Sequence, residues 1–432
     1  MRTLLLAALV VCIGCAGKTK LPIAAGFGPT PTLPPPATSA VPVINMVKAK
    51  GWSEGQTPTA PVGTKVVAFA KDLDHPRWIY VLPNGDVLVA ETNAPERPED
   101  NKGAKGVVMK QLIKRAGGAA PSANRITLLR DSDGDGIADK RHNFLQNLAS
   151  PFGMVLVGDE LYVANTDAIV RFPYNEGDTE ITASPQTVLA LPAGDLNHHW
   201  TKNVIANKAG TKLYVAIGSN SNAAENGIEV EEGRAQIWEV DRKTGEKRVY
   251  ASGLRNPVGM AWEPASGALW TAVNERDEIG NDLPPDYMTA LKDGGFYGWP
   301  YSYYGGYVDT RVSPQRPDLV ATAIVPDYAL GAHTASLGLA WSATNTLPAQ
   351  FAHGMFIGQH GSWNRNPRTG YKVIFVPFDG TKAAGTPVDV LTGFVTDDGD
   401  AFGRPVGVAI DGKGALLVAD DVGNVIWRVA GT

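Results

Sequence analysis

The stretch NPVGMAWEPASGALWTAVNE at residues 256–275 contains two short apolar runs separated by a turn rich in Pro, Ser and Gly. Such a pattern predicts a β-hairpin. Six copies of it occur in the chain, roughly fifty to eighty residues apart. The other five begin at His75, Ser150, His198, Ser336 and Arg404. Because hairpins repeated at this spacing suit four-stranded sheets arranged around an axis, we predict an all-β fold, a six-bladed β-propeller.

Residues 1–15 have the features of a bacterial lipoprotein signal peptide. Arg2 precedes an apolar run from Leu4 to Ile13, and a small residue precedes Cys15. We therefore expect export, lipidation of Cys15 and a periplasmic or cell-envelope location, and an ordinary secretory signal cut near Ala16 is the alternative. Both cysteines lie in this segment, so the predicted mature body has none for a disulfide or for thiol catalysis.

A second boundary is expected near residue 62. Residues 16–62 are rich in Pro, Thr, Ala and Gly, with PTPTLPPPATSAVP at residues 29–42. Consecutive prolines keep a backbone extended and bury little apolar surface, so this segment is predicted to be a disordered tether. Residues 63–432 show no second linker and form the predicted propeller domain. Membrane contact is expected only through the lipid anchor, since no later apolar run could span a bilayer.

The corners that precede the hairpins are the expected functional positions. In a propeller the innermost strands line a central channel, so corner residues converge on one face although they are far apart in sequence. His199, Arg255, Asn256 and Arg404 occupy such corners. Several cations at one channel mouth require an anionic partner. Nucleic acid is not that partner, because the net charge is −5 and no basic run is present.

Three further motifs accompany these corners. GLRNPVGMAW starts at residue 253, VNERDEIGNDLPPDY at residue 273 leads into DGGFYGWP, and GQHGSWNRNPRTGYKV starts at residue 358. Together they resemble the glucose/sorbosone dehydrogenase family of quinoprotein sugar dehydrogenases, and the last motif is similar to the sorbosone branch. The resemblance implies pyrroloquinoline quinone (PQQ) and calcium as cofactors. It also implies an oxidoreductase that transfers a hydride from an aldose or related sugar to the quinone.

The resemblance assigns roles to individual residues. It implies that His199 is the general base for the sugar hydroxyl and that Arg255 and Asn256 hydrogen-bond the quinone oxygen. Further cofactor contacts are expected from His360, Arg365 and Arg404. His198 stands where soluble members carry a carboxylate, so Asp195 is the candidate to orient the base, and Trp363 is a candidate for ring stacking or for core packing.

Two calcium sites are considered. The family's cofactor-bridging calcium would use main-chain carbonyls of Arg276, Asp277 and Glu278, with Asp282 as an alternative ligand. A separate motif, DSDGDGIAD, places Asp131, Asp133, Asp135 and Asp139 in one loop. His142 stands where an EF-hand needs glutamate, so that motif is excluded. A shorter structural calcium loop and a solvated acidic hairpin both remain open.

Other functions are compatible with a propeller. A calcium-dependent lactonase or related hydrolase would need carboxylates and amides on an axial metal, whereas the corners carry arginine and histidine. A non-catalytic glycan-binding propeller would instead expose aromatic residues without this constellation. The sequence contains no CxxCH haem-attachment motif, so we expect reduced cofactor to pass electrons to a separate quinone or cytochrome.

Overall fold

The computed structural model describes residues 19–37, 43–96, 110–343 and 345–432. Three short strands precede the first blade: β1 (Phe27–Gly28), β2 (Lys48–Ala49) and β3 (Thr64–Ala70). Blade 1 contains β4 (Pro76–Val81), β5 (Val87–Glu91), β6 (Arg125–Arg130) and β7 (Lys140–Leu145). Blade 2 contains β8 (Met154–Val157), β9 (Glu160–Ala164), β10 (Ala168–Pro173) and β11 (Gln186–Ala190). Blade 3 contains β12 (Lys202–Ala206), β13 (Lys212–Ile217), β14 (Gln236–Asp241) and β15 (Lys247–Ser252).

Blades 4, 5 and 6 complete the ring. Blade 4 contains β16 (Pro257–Trp262), β17 (Leu269–Val273), β18 (Pro285–Ala290) and β22 (Tyr328–Ala332). The segment between β18 and β22 contains β19 (Gly295–Phe296), β20 (Ser302–Tyr303), β21 (Tyr307–Val308) and the helix α1 (Pro317–Val320). Blade 5 contains β23 (Ser336–Trp341), β24 (Gly354–Gln359), β25 (Lys372–Asp379), β26 (Lys382–Ala383) and β27 (Val388–Leu391). After β28 (Asp400–Ala401), blade 6 contains β29 (Pro405–Ile410), β30 (Leu416–Asp420) and β31 (Val425–Gly431). Short 3₁₀ helices span Ile23–Gly26, Glu229–Glu231 and Ala349–Phe351.

The six sheets form a closed ring, which confirms the six-bladed propeller. Within the blades, successive strands pair in an antiparallel manner from the innermost strand outward. In blade 6 the outer strand is β3, which pairs with β31, so the two ends of the domain close the ring. The second strands β5, β17 and β30 are buried on both faces because each blade packs between two neighbours. This explains their continuous apolar runs VLVAE, LWTAV and LLVAD.

The N-terminal segment differs from the expected tether. We call its described parts, residues 19–37 and 43–62, the N-terminal strap. In the strap, β1 pairs with β22 of blade 4, and β2 pairs with β28 near blade 6. The apolar side chains of Leu33, Val47 and Trp52 pack into the propeller cores, which the proline content of the segment did not reveal. Residues 1–18, including the predicted signal peptide and Cys15, lie outside the described residues.

Within the described ranges, no helix has both the length and the apolar character needed to cross a bilayer.

Candidate active site

Antiparallel pairing brings two sets of residues to one end of the channel. The first residue of an innermost strand pairs with the last residue of the second strand, as in Lys202 with Ile217 and Pro405 with Asp420. Corner residues before the first strands therefore lie beside residues that follow the second strands. We call this end of the propeller the corner face. Only the first set is evident from the sequence.

His199 lies on the corner face in a defined orientation. Its Nδ1 is 2.8 Å from the carbonyl oxygen of Ser219 and 3.0 Å from the Ser219 hydroxyl. Because a carbonyl can only accept, Nδ1 carries the proton and Nε2 is the basic nitrogen. Ser219, which follows β13, thus performs the orienting role for which the sequence offered Asp195, an exposed residue. The neighbouring His198 is exposed, and its ring meets that of His199 edge to face.

A buried lysine supports the turn that carries His199. The side chain of Lys202 is fully buried, and its ammonium donates to the carbonyl oxygens of His199 and Trp200, both at 3.2 Å. Burial, together with the charge of Arg234, lowers the pKa of Lys202 well below its ordinary value. Lys202 is not evident as a site residue from the sequence, because a lysine in a strand normally indicates a solvated face.

Asn256 lies next to His199. A Cβ at Gly218 would clash with the Asn256 Oδ1 atom and with the His199 Cβ, so a glycine is needed for their approach. Asn256 is 6% exposed, and its Oδ1 has no hydrogen-bond partner among the described residues. A buried amide oxygen without a partner is costly, which indicates that a ligand or water donates to it.

Arg255 is held by neighbouring loops. Its Nη1 donates to the Glu275 carbonyl at 2.7 Å, and its Nε and Nη2 donate to the carbonyl and side-chain oxygens of Asn222 at 3.1 and 3.0 Å. A carboxylate oxygen of Asp277 is 3.7 Å from Nη2. Arg255 is therefore buried beside the expected partner Asn256, but most of its donors bind the protein itself.

The acidic loop from Glu275 to Asp286 is also tightly bonded. The Asp277 carboxylate accepts from Asn364 at 2.8 Å and lies 3.3 Å from His333 Nδ1. Its main-chain carbonyl accepts from Arg311 Nη1 at 3.0 Å. A calcium ion on this carbonyl would meet the Arg311 guanidinium, so ligation there requires Arg311 to move. The side chain of Arg276 is buried and paired with Asp309. Calcium ligation by the main-chain carbonyls of Arg276, Asp277 and Glu278 stays a prediction.

A polar cluster lies across the channel end in blades 5, 6 and 1. The Asp421 carboxylate accepts from Arg77 Nη1 at 2.8 Å and lies 2.8 Å from His360 Nε2. His75 Nε2 is 3.6 Å from the same carboxylate. Arg404 donates to the His360 carbonyl at 2.9 Å. The structure thus brings the expected residues His360 and Arg404 together with His75, Arg77 and Asp421, which were not expected from the sequence.

The charges of this polar cluster depend on burial. Burial and the positive charge of Arg404 lower the pKa of His360 to about 3, which keeps its ring neutral at pH 7. Burial would raise the pKa of Asp421, but the neighbouring His360, His75 and Arg77 outweigh it and lower that pKa. The cluster therefore places two guanidinium groups, those of Arg77 and Arg404, near the carboxylate of Asp421.

The lowered pKa of His360 predicts a pH-dependent stability. The unfolded chain binds a proton at His360 below about pH 6.5, whereas the folded chain does so only near pH 3. Stability contributed by the neutral ring is therefore lost as the pH falls through this window. Between pH 6.5 and 4, we expect the free energy of unfolding to fall by roughly 3 kcal/mol less in His360→Gln than in the wild-type protein. Urea denaturation of both proteins at several pH values measures it, and parallel pH curves would contradict it.

Arg365 has a structural role, in contrast to the cofactor contact expected from the sequence. Its Nε and Nη1 donate to the carbonyls of Asn281 and Pro367, both at 2.9 Å, and its Nη2 lies 3.2 Å from Asp282. Asp282 also accepts from Thr19 and from the main chain of Lys20 in the N-terminal strap. Both Arg365 and Asp282 therefore join the strap to the acidic loop. Trp363 is half-buried, and its carbonyl accepts from Asn45 of the strap at 2.7 Å.

The loop of Asp131 lies at the other end of blade 1, because it connects β6 to β7 where Arg130 pairs with Lys140. Ligand atoms of Asp131, Asp133 and Asp135 lie within 4.8 Å of one another. Asp139 instead accepts from Ser132, and Lys413 pairs with Asp131 at 2.8 Å. Calcium binding by this loop stays a prediction, and its position separates it from the corner face.

Comparison with known proteins places the chain in a family. A family model described as TrAA12-like matches residues 122–288 and 319–432. An uncharacterized protein of Borreliella burgdorferi is 29% identical over 308 residues, which cover 67% of this chain and 78% of that protein. The PQQ-dependent pyranose dehydrogenase of Coprinopsis cinerea is 26% identical over 301 residues, which cover 54% of this chain and only 40% of that enzyme.

Solved structures agree with the fold. The holo form of the Coprinopsis cinerea PQQ domain has a TM-score of 0.69 at 20% identity, with 89% of this chain and all of that chain covered. A calcium structure of a Trichoderma reesei carbohydrate-active enzyme of family AA12 has a TM-score of 0.68 at 17% identity, with 90% and 99% covered. The resemblance to quinoprotein sugar dehydrogenases is confirmed, although these matches do not single out the sorbosone branch. The chain belongs to the TrAA12-like family.

Proposed function

We propose that this protein oxidises an aldose or a related sugar of the sorbosone or glucose type with PQQ at the corner face, assisted by calcium. The observation that carries the proposal is the pairing of an oriented base with a polar pocket. His199, whose basic nitrogen is Nε2, lies next to Asn256, and the buried Oδ1 of Asn256 has no partner among the described residues. The relatives of this chain include PQQ-dependent sugar dehydrogenases, which supports the same chemistry here.

The residues of the corner face fit such a cofactor. PQQ is a flat tricarboxylate, and the guanidinium groups of Arg77 and Arg404 both lie at this end of the channel. Arginine guanidinium groups suit carboxylates because they donate paired hydrogen bonds. A buried donor among these groups, the Nε of Arg77, has no acceptor within the described part of the chain. Arg404 and His360 would hold the carboxylate side, and Arg255 and Asn256 the quinone oxygen.

The protein residues then divide the chemistry. When bound, the quinone supplies a two-electron acceptor for the hydride of the sugar carbon. His199 Nε2 accepts the proton of the sugar hydroxyl, and the Ser219 carbonyl on Nδ1 stabilises the imidazolium that forms. Lys202 keeps this turn in place through the His199 carbonyl. The proposed calcium would act as a Lewis acid on the quinone side.

Reconstitution tests the proposal. Purified protein freed of cofactor should bind PQQ saturably at neutral pH when calcium is present and not when calcium is chelated, because the metal is expected to bridge protein and quinone. Titration followed by quinone absorbance measures binding, and dye reduction across a sugar panel then measures activity. If no saturable binding occurs with calcium, the quinone assignment is wrong and the lactonase alternative gains support.

Location and electron transfer complete the proposal. We propose that the protein is exported and anchored through a lipid on Cys15, and that a separate quinone or cytochrome receives its electrons. The signal pattern at residues 1–15 supports the first part. The absence of a CxxCH motif in the sequence supports the second.

A further inference from the structure

One residue of each blade faces the next blade at the floor of the corner face. A Cβ built on Gly259 would collide with the Leu337 carbonyl, and one on Gly338 with the Val406 carbonyl. A Cβ on Gly407 would lie 2.8 Å from the Arg77 carbonyl in the same way. In blade 2, the backbone N–H of Gly153 donates to the Lys202 carbonyl at 3.0 Å. The corresponding positions in the six blades are Arg77, Phe152, Lys202, Val258, Leu337 and Val406.

Four of these floor positions are apolar and two are cationic. Phe152, Val258, Leu337 and Val406 are at most 8% exposed and belong to one hydrophobic cluster. Lys202 satisfies its ammonium on the carbonyls of its own turn. Arg77 has no such arrangement, because a single carboxylate, that of Asp421, accepts from its Nη1. A guanidinium at a position that is apolar in four of the six blades costs desolvation energy unless its donors are paired.

The geometry of Arg77 directs it toward the channel. The pairing of β4 with β5 shifts register between Pro76 and Trp78, so Arg77 is the extra residue of a β-bulge. Bulges of this kind re-aim a side chain and are common beside active sites. The guanidinium lies 5.7 Å from the ring of Trp200, which directly follows His199. Arg77 of blade 1 therefore reaches over to the blade 3 turn that carries the proposed base.

The hydrogen bonding around Arg77 is incomplete. Its side chain is 13% exposed, and its buried Nε has no acceptor among the residues that the structure describes. The neighbouring His75 Nε2 is also buried without a hydrogen-bond partner in the same part of the chain. Arg404 brings a second guanidinium group to this cluster. An anionic group with several acceptor atoms would satisfy the donor that Arg77 leaves unpaired.

We infer that Arg77 is a cofactor-binding residue that pairs with a carboxylate of PQQ on the channel floor. This inference rests on the proposed function and adds a residue to it. In the pairing, Nε–H and the outer N–H groups of Arg77 donate to the carboxylate while Nη1 keeps its bond to Asp421. Blades 4, 5 and 6 have a similar register shift at this point, so the bulge alone does not identify Arg77. Arg77 is identified by its buried Nε, which has no acceptor among the described residues, and by its approach to Trp200.

The test measures quinone affinity without sugar. We expect Arg77→Gln to raise the Kd for PQQ roughly 10-fold or more in calcium-containing buffer, as the loss of a charge-assisted pair predicts. The trimethyl ester of PQQ lacks the carboxylates, so its Kd should change much less on the same substitution. Arg130→Gln is the matched control, because Arg130 forms a paired contact with Asp86 at the opposite end of the same blade. It should leave both affinities unchanged.

The outcomes separate the two hypotheses. If wild-type protein does not bind PQQ, the proposed function and this inference both fail. If wild-type protein binds and Arg77→Gln binds equally well, only the inference fails. An equal loss for PQQ and its ester would show that Arg77 has a structural role and would also overturn it. Should Arg77→Gln not fold in thermal melts, Arg77→Lys retains the charge without the fork, and a several-fold loss specific to PQQ is expected.

Discussion

His199→Ala is expected to lower turnover by about 10²-fold or more while the Kd for PQQ stays nearly unchanged. The reason is geometric, because the Ser219 carbonyl fixes the proton on Nδ1 and leaves Nε2 as the proton acceptor. An alanine keeps the turn, since Lys202 binds the main-chain carbonyl of residue 199 and not its side chain. Steady-state dye reduction of the reconstituted enzyme gives turnover, and absorbance titration gives the Kd.

His198 is the matched control for this experiment. His198 is adjacent to His199 and is also a histidine, but its side chain is exposed. The ring of His199, in contrast, contacts Ser219. His198→Ala should therefore retain turnover within a few-fold. A result in which His198→Ala abolishes turnover and His199→Ala does not would assign the base to the neighbouring residue. Loss of PQQ affinity in His199→Ala would indicate a binding residue.

Trp52→Ala is expected to lower the free energy of unfolding by about 3 kcal/mol or more. Trp52 of the N-terminal strap packs against Phe394, Phe402 and Trp427 with ring centroids 5.1 to 5.5 Å apart. Its indole N–H donates to the buried Asp420 carboxylate at 2.7 Å. The substitution removes a large side chain and a charge-assisted hydrogen bond at once. Urea denaturation compared with wild-type protein measures the change.

Two variants sharpen the test of the strap. Trp52→Phe keeps most of the ring packing and loses the N–H, so about half of the effect should remain. Ile44→Ala is the control within the same segment, because Ile44 is 41% exposed and such changes stay within about 0.5 kcal/mol. Asp420 also accepts from the Arg404 main chain at 2.8 Å, so Trp52→Ala should weaken PQQ binding as well. Unchanged stability in Trp52→Ala would restore the interpretation of residues 16–62 as a tether.

The sequence was sufficient to predict the six blades and one half of the candidate site. Alternating apolar residues and turn residues are local features, and each hairpin repeats them, so the number of blades follows from counting. The same repeat places corner residues at the start of every innermost strand. His199, Asn256 and Arg404 were found for this reason, and the structure brings each of them to the corner face.

Only the tertiary structure decided which charges meet. Asp421 follows a second strand and contacts Arg77, which is 344 residues away in the chain, and no local pattern encodes that pair. Arg365 resembled a cofactor ligand in its motif, yet its donors bind Asn281, Pro367 and Asp282 because the N-terminal strap brings these loops together. A hairpin is determined by interactions between near neighbours, whereas the partner of a buried charge depends on which loops of different blades approach once the ring has closed.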